Sequence, residues 1–132
     1  LDFSTDTTSF QIKAPIIVNG HGDVSIFESV EYAEQYLEPI DVKNKEYVVY
    51  DSEGHLLKLV VSKKELPFIF GRTEFIETVR ISAIGSGSDH SNELRKLLIK
   101  FFQETRAVVE ESDLLSLREL VNKSVSIYGF SQ

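Results

Sequence analysis

Residues 22–54, GDVSIFESVEYAEQYLEPIDVKNKEYVVYDSEG, read in order as strand, acidic helix, strand and turn. A helix over residues 30–38 turns by about 100° per residue, which gathers Val30, Tyr32, Ala33, Tyr36 and Leu37 on one arc and Glu31, Glu34, Gln35 and Glu38 on the other. Ser29 is placed to accept from the orphan amides of the first turn, and Glu31 suits the positive end of the helix dipole. Pro39 is predicted to end the helix, because a proline pushes the residue before it, Glu38, out of the helical region. Beyond it, residues 46–50 and 55–62 are rich in Val, Leu and Tyr, and Asp51-Ser52-Glu53-Gly54 between them has turn composition, so a hairpin is expected there.

Upstream, residues 14–18 read as a strand with Pro15 near its start, where a missing donor is tolerated. Asn19-Gly20-His21-Gly22-Asp23 reads as a turn, and residues 24–26 as the returning strand of a first hairpin. Residues 1–13 are rich in Ser, Thr and Asp and have few side chains to bury, so at least 1–10 are expected to form a loose lead. Downstream, residues 63–73 read as a connecting loop, and 75–84 alternate Val79, Ile81 and Ala83 against Thr78, Arg80 and Ser82 as a strand does. After Gly85-Ser86-Gly87-Ser88, a long helix starting near Ser91 shares Leu94, Leu97, Leu98, Phe101, Thr105 and Val108 on one face, with Arg95, Lys96, Lys100 and Arg106 outside it. A shorter helix over 113–122 and a last strand over 125–130 complete the expectation. Strands around one early helix, then two late helices, predict an α+β fold: a mainly antiparallel sheet of about five strands with one early and two C-terminal helices.

The chain has 132 residues, 42% hydrophobic and 27% charged, a size and composition suited to a single domain with one core. Its apolar runs are too short to cross a bilayer, and a cytoplasmic protein is expected. The absence of Cys excludes disulfides, thiolate metal sites and thiol nucleophiles. The formal charge is −7, and residues 1–61 hold all of it: eleven acids stand there against four bases, while the ten acids that follow are matched by ten bases. Phosphates would be repelled by that first half, so nucleic acid is not an expected partner, whereas a basic protein is compatible with it.

No catalytic constellation emerges. His21, His55 and His90 each sit beside turn residues, and none has a second His or Cys at ligand spacing, so they read as surface turn histidines with no metal or cofactor expected. The Gly85–Ser88 stretch lacks the Gly-Lys-Ser/Thr ending of a phosphate loop and reads as a flexible connector. Asp51-Ser52-Glu53-Gly54 lacks the alternating acids and terminal Glu of a calcium loop. Glu31, Glu34 and Glu38 have an ordinary reading as a solvated helix face, although like charges at these spacings repel by a few tenths of a kcal/mol each. Pairing of that face with the basic helix, internally or in a homodimer, is a further use for it.

Gly22-Asp23-Val24, Phe27-Glu28-Ser29-Val30-Glu31, Ala33-Glu34, Tyr36-Leu37-Glu38-Pro39-Ile40-Asp41-Val42, Glu46-Tyr47 and Tyr50-Asp51-Ser52-Glu53-Gly54 together resemble a group of small bacterial immunity proteins that accompany polymorphic toxins of the contact-dependent or Rhs kind. A looser echo lies at Asp89-His90-Ser91 and from Glu93-Leu94-Arg95 to Leu98. These are structural residues rather than a catalytic motif. The resemblance implies a protein that is not an enzyme and acts by binding a cognate toxin domain, and the acidic surface suits a basic, nuclease-type toxin. On that reading the partner-binding residues are Glu31, Glu34, Glu38, Asp41, Glu46, Asp51 and Glu53, with Tyr32 and Tyr47 as aromatic anchors wherever they are exposed. The alternative is a small ligand-binding or hydrolytic domain that uses the His21/Asp23 turn together with the Gly85–His90 loop.

Overall fold

The computed structural model describes residues 11–66, 74–82, 89–105 and 114–131. Strands β1 (Ile16–Gly20) and β2 (Asp23–Phe27) form the first hairpin, with Gly20 opposite Asp23. The turn is therefore His21-Gly22, and both residues have positive φ, 55° and 78°, as a two-residue hairpin turn requires. Asn19 and Gly20 belong to the strand instead. Gly20 is needed there for space, because a Cβ would lie 2.4 Å from Cδ1 of Tyr47, which packs across it from the neighbouring strand.

That neighbour is β3 (Tyr47–Tyr50), which pairs antiparallel with β1 to give a three-stranded sheet in the order β2-β1-β3. The hairpin expected after β3 is only a stub. Tyr50 bridges Leu56 and the Leu57 amide donates to Val49 O at 2.9 Å, after which the chain leaves this sheet. It continues as β4 (Lys58–Glu65), paired over its whole length with β5 (Phe75–Ser82) in a separate two-stranded sheet. The α+β class holds, and among the described residues five strands are divided between two sheets.

The early helical segment is two helices. Helix α1 (Val30–Tyr36) is capped by the Ser29 hydroxyl, which accepts from the Tyr32 amide at 3.2 Å. Pro39 holds Glu38 before it extended, at φ −95° and ψ 132°, and α1 has ended by Tyr36 as expected. The proline itself takes the first position of a second short helix, α2 (Pro39–Lys43), where its missing N–H costs no hydrogen bond. Helix α3 (Ser91–Glu104) buries Leu94, Leu98 and Phe102. Helix α4 (Leu117–Tyr128) opens with a capping box: the Ser116 hydroxyl accepts from the Glu119 amide, and the Glu119 carboxylate accepts from the Ser116 amide. This corrects the strand expected over 125–130. Leu120, Val121 and Ser124 fall on the buried face of a continuing helix, and Gly129, at φ 72°, ends it. Beyond it Ser131 exchanges hydrogen bonds with Ile26 of the sheet.

Alternation along the three-stranded sheet sends side chains into two cores. Ile16, Val18, Phe27, Tyr47 and Val49 face α1 and the β4–β5 hairpin, packing with Ala33, Leu37, Leu57, Val79 and Ile81. Ile17, Ile26 and Tyr50 face the opposite way, onto Leu94, Leu98 and Phe102 of α3 and Leu120 and Val121 of α4. Each fully buried Leu or Phe contributes about 1.5–3 kcal/mol. The loop expected over 63–73 is strand up to Glu65, and 67–73 lie outside the described residues. The loose lead expected at 1–10, the Gly85–Ser88 connector, Arg106 and Val108 lie outside them as well.

Candidate functional site

The acidic residues of the first half fall into three groups rather than one face. The first lies along α1. Glu31, Glu34 and Glu38 line one side of a groove of about 620 Å³, whose other side is β5 from Glu77 to Arg80, with Lys64 of β4 reaching into it. Glu31 and Glu38 are exposed, and no cation among the described residues lies within ion-pair distance of either. Glu34 is half-buried and already engaged, because its Oε2 accepts from the Ile81 amide at 2.7 Å. Tyr32 is 54% exposed and Ile40 64%, so this side of the protein presents apolar as well as acidic groups.

The second group surrounds the tip of the first hairpin. His21 reaches Asp41 Oδ2 with Nε2 at 3.3 Å and Glu46 Oε1 with Nδ1 at 3.2 Å. The Tyr47 hydroxyl also donates to Asp41, at 3.3 Å. Burial and the neighbouring Asp41 charge raise the Tyr47 pKa, so the phenol stays protonated. Tyr47 is 9% exposed and packs on Gly20 and His21, so the structure corrects its expected role as a partner-facing anchor. His21, Asp41 and Glu46 bring ligand atoms within 4.8 Å of one another, a set that can in principle hold a metal ion. Ligand spacing in sequence gave no hint of this, because the hairpin, α2 and the start of β3 each contribute one residue. Both imidazole nitrogens already face carboxylates, however, so a cation would have to displace one of those contacts.

The third group is the turn after β3, where the expectation for Asp51 is overturned. Its carboxylate is fully buried: Oδ1 accepts from the amides of Glu53 and His55 at 3.0 and 2.9 Å, and Oδ2 lies 3.3 Å from the Lys13 amide and 2.9 Å from His55 Nδ1. A short side chain that bonds amides two and four residues on is what folds Asp51-Ser52-Glu53-Gly54 into a tight loop. Asp51 is thus internal scaffolding, and Glu53 alone of this turn's acids is exposed. The loop docks on the start of α3. His90 donates its amide to Gly54 O at 2.8 Å, and a Cβ on Gly54 would lie 2.5 Å from the Ser91 Cα. The Tyr50 hydroxyl donates to Glu93, whose other oxygen lies 3.1 Å from His90 Nδ1. That hydrogen bond and the adjacent His90 lower the Glu93 pKa, while burial and the same carboxylate raise that of Tyr50. His55 and His90 are therefore half-buried joints between loop and helix, not free surface turn residues.

Of the residues of the alternative reading, Gly85–Ser88 lie outside the described residues, and His21 and His90 are not brought together. His21 opens onto a cavity of about 760 Å³ lined by Leu97, Lys100, Phe101 and Glu104 in the later part of α3, whereas His90 stands at its start. At 1.5 Å per residue the two lie on the order of 15 Å apart. Among the described residues the acidic helix does not pair with the basic one, because α1 belongs to one core and α3 to the other, with the sheet between them. Arg95 instead donates to Leu115 O at 3.1 and 2.6 Å, and Lys100 lies 3.9 Å from Glu104.

These features define a small α+β domain whose exposed acids are spread over several elements, with Glu31 in α1 and Glu38 between α1 and α2 among them. Comparison with protein-family models, with curated proteins and with solved structures returns no match. Among the described residues no helix is long and apolar enough to cross a membrane.

Proposed function

We propose that this protein is an immunity protein that binds and neutralises a cognate bacterial toxin domain, a basic one of nuclease type, through the acidic α1–α2 surface. It acts in the cytoplasm by occupying the toxin, without turnover and without a cofactor. The observation that carries the reading is the exposure of Glu31 and Glu38, unneutralised by any described cation, beside the exposed Tyr32 and Ile40. Desolvated aromatic or aliphatic anchors within a charged rim are the usual make-up of a tight, fast-forming protein interface. The charge asymmetry of the chain and its resemblance to toxin-associated immunity proteins point the same way.

The test is capture of the toxin domain encoded beside this gene. The wild type should form a one-to-one complex and protect cells that express the toxin. Glu31→Lys/Glu38→Lys should keep a native circular dichroism spectrum yet associate at least about tenfold more slowly at low salt, with the difference shrinking as salt screens it. Equal association rates for the two proteins at low salt would remove α1 and α2 from the interface.

A further inference from the structure

We propose that the groove between α1 and β5 receives an extended segment of the toxin as an added β-strand, with basic side chains of that segment facing Glu31 and Glu38. The inference rests on the toxin-binding reading above and names how the partner is held.

The argument begins at Ile81. Its amide donates to a side chain, Glu34 Oε2 at 2.7 Å, rather than to the opposing strand β4. Its N–H therefore points away from β4. In an antiparallel pair the direction of the N–H alternates with every residue, so the amides of Val79 and Glu77 also point away from β4 and into the groove. No acceptor among the described residues meets either of them. β5 thus has one edge satisfied by β4 and one edge that no strand among the described residues pairs with, where a single carboxylate meets the Ile81 amide at its end.

An open edge is a template for main-chain pairing, and proteins normally cover or blunt one that has no use. Here the wall facing it is acidic. Glu31 and Glu38 flank Glu34 on α1, and across the groove Glu77 is already paired with Lys43 at 2.5 Å. Arg80 and Lys64 also line the groove, on its β side, where they are outnumbered by Glu31, Glu34, Glu38 and Glu77. The occupant that fits is a strand whose backbone bonds to Glu77 and Val79 and whose lysine or arginine side chains reach the helix. Sequence-tolerant backbone pairing supplies affinity, and the acidic wall selects for basic segments.

The experiment is amide hydrogen exchange of the wild type, alone and with the toxin domain encoded beside its gene, together with binding by two variants. Glu77→Pro removes an N–H that β4 does not use and puts a ring in the path of an added strand. Glu77→Gln removes the ion pair to Lys43 but keeps the N–H. The expected result is exchange at Glu77 and Val79 slowed at least about tenfold in the complex, with Glu77→Pro binding at least about tenfold more weakly than Glu77→Gln. A complex that leaves both amides unprotected, with the two variants binding alike, overturns the strand-addition model while the immunity function stands. Failure of the wild type to form any complex overturns both. Protection of the same amides in a self-associated chain without toxin makes the occupant a second copy and overturns the assignment to the toxin.

Discussion

Replacing Asp51 tests the reasoning about this chain most directly, because sequence and structure give that residue opposite roles. As a member of an acidic docking surface it would be dispensable for folding. As the buried hub of the turn it accepts from two amides at 2.9 and 3.0 Å, a third at 3.3 Å and the His55 imidazole at 2.9 Å. Hydrogen bonds to a charged acceptor contribute about 1.5–3 kcal/mol each, less what water returns to the Glu53 and His55 amides once the carboxylate is gone. Counting the two short amide bonds in full and the others weakly, Asp51→Ala should cost about 3–5 kcal/mol. For a domain of this size that is a fall in Tm of roughly 10–20 °C. Asp51→Asn keeps an oxygen for the two amides of the turn and should cost about 1–2 kcal/mol. Urea unfolding followed by circular dichroism reads both values, and toxin affinity of the folded Asn variant should match that of the wild type. A loss below about 1 kcal/mol for Asp51→Ala would refute the assignment.

Glu34→Ala should cost about 1–2 kcal/mol by stranding the Ile81 amide, whereas Glu31→Ala should stay within about 0.5 kcal/mol, which separates two residues of one helical stripe by urea titration. Glu93 has its pKa lowered from 4.5 on folding, so its contribution to stability is present above that value and is lost as pH falls through and below it. Glu93→Gln should therefore flatten the acid limb of the stability curve from about pH 4.5 downward, with little change in slope near neutrality. Ser116→Ala should remove about 1 kcal/mol by breaking the capping box, and amide exchange should show the loss at the start of α4. His21→Gln keeps groups able to bond Asp41 and Glu46, so far-ultraviolet circular dichroism and melting should shift little, while His21→Ala leaves the two carboxylates facing each other and should lower Tm by several degrees.

Local periodicity in the sequence carried much of this fold. The alternation through Ile16, Val18, Val24 and Ile26, and the spacing of Leu94 and Leu98, decided strand and helix because each element buries one face, although Phe102 rather than the expected Phe101 completes the buried face of α3. What local pattern missed was decided by distant partners. Asn19-Gly20 has stronger turn chemistry than His21-Gly22, yet Gly20 is claimed by the ring of Tyr47, a contact that exists only once β3 has paired with β1. Val125 to Phe130 has β-branched and aromatic content, but the capping box at Ser116 sets a helical register that carries past Ser124. Along α1, identical carboxylates have different fates because β5 offers an amide to Glu34 alone. The charge of Asp51 suggests a surface position, since nothing in a turn of Asp, Ser, Glu and Gly shows that Lys13 and His55 close over it.

The division of the interior by the three-stranded sheet means that the two sides of this protein can diverge in sequence on separate schedules. Among the described residues no side chain belongs to both cores, so a change of volume at Ala33, Leu37 or Val79 is absorbed by the layer that carries the groove. It reaches Leu94, Phe102 or Leu120 only through the backbone of the sheet. Substitutions can thus remodel α1, α2 and the β4–β5 hairpin while α3 and α4 hold the far face of the sheet unchanged. One layer serves as chassis and the other as adaptable mount.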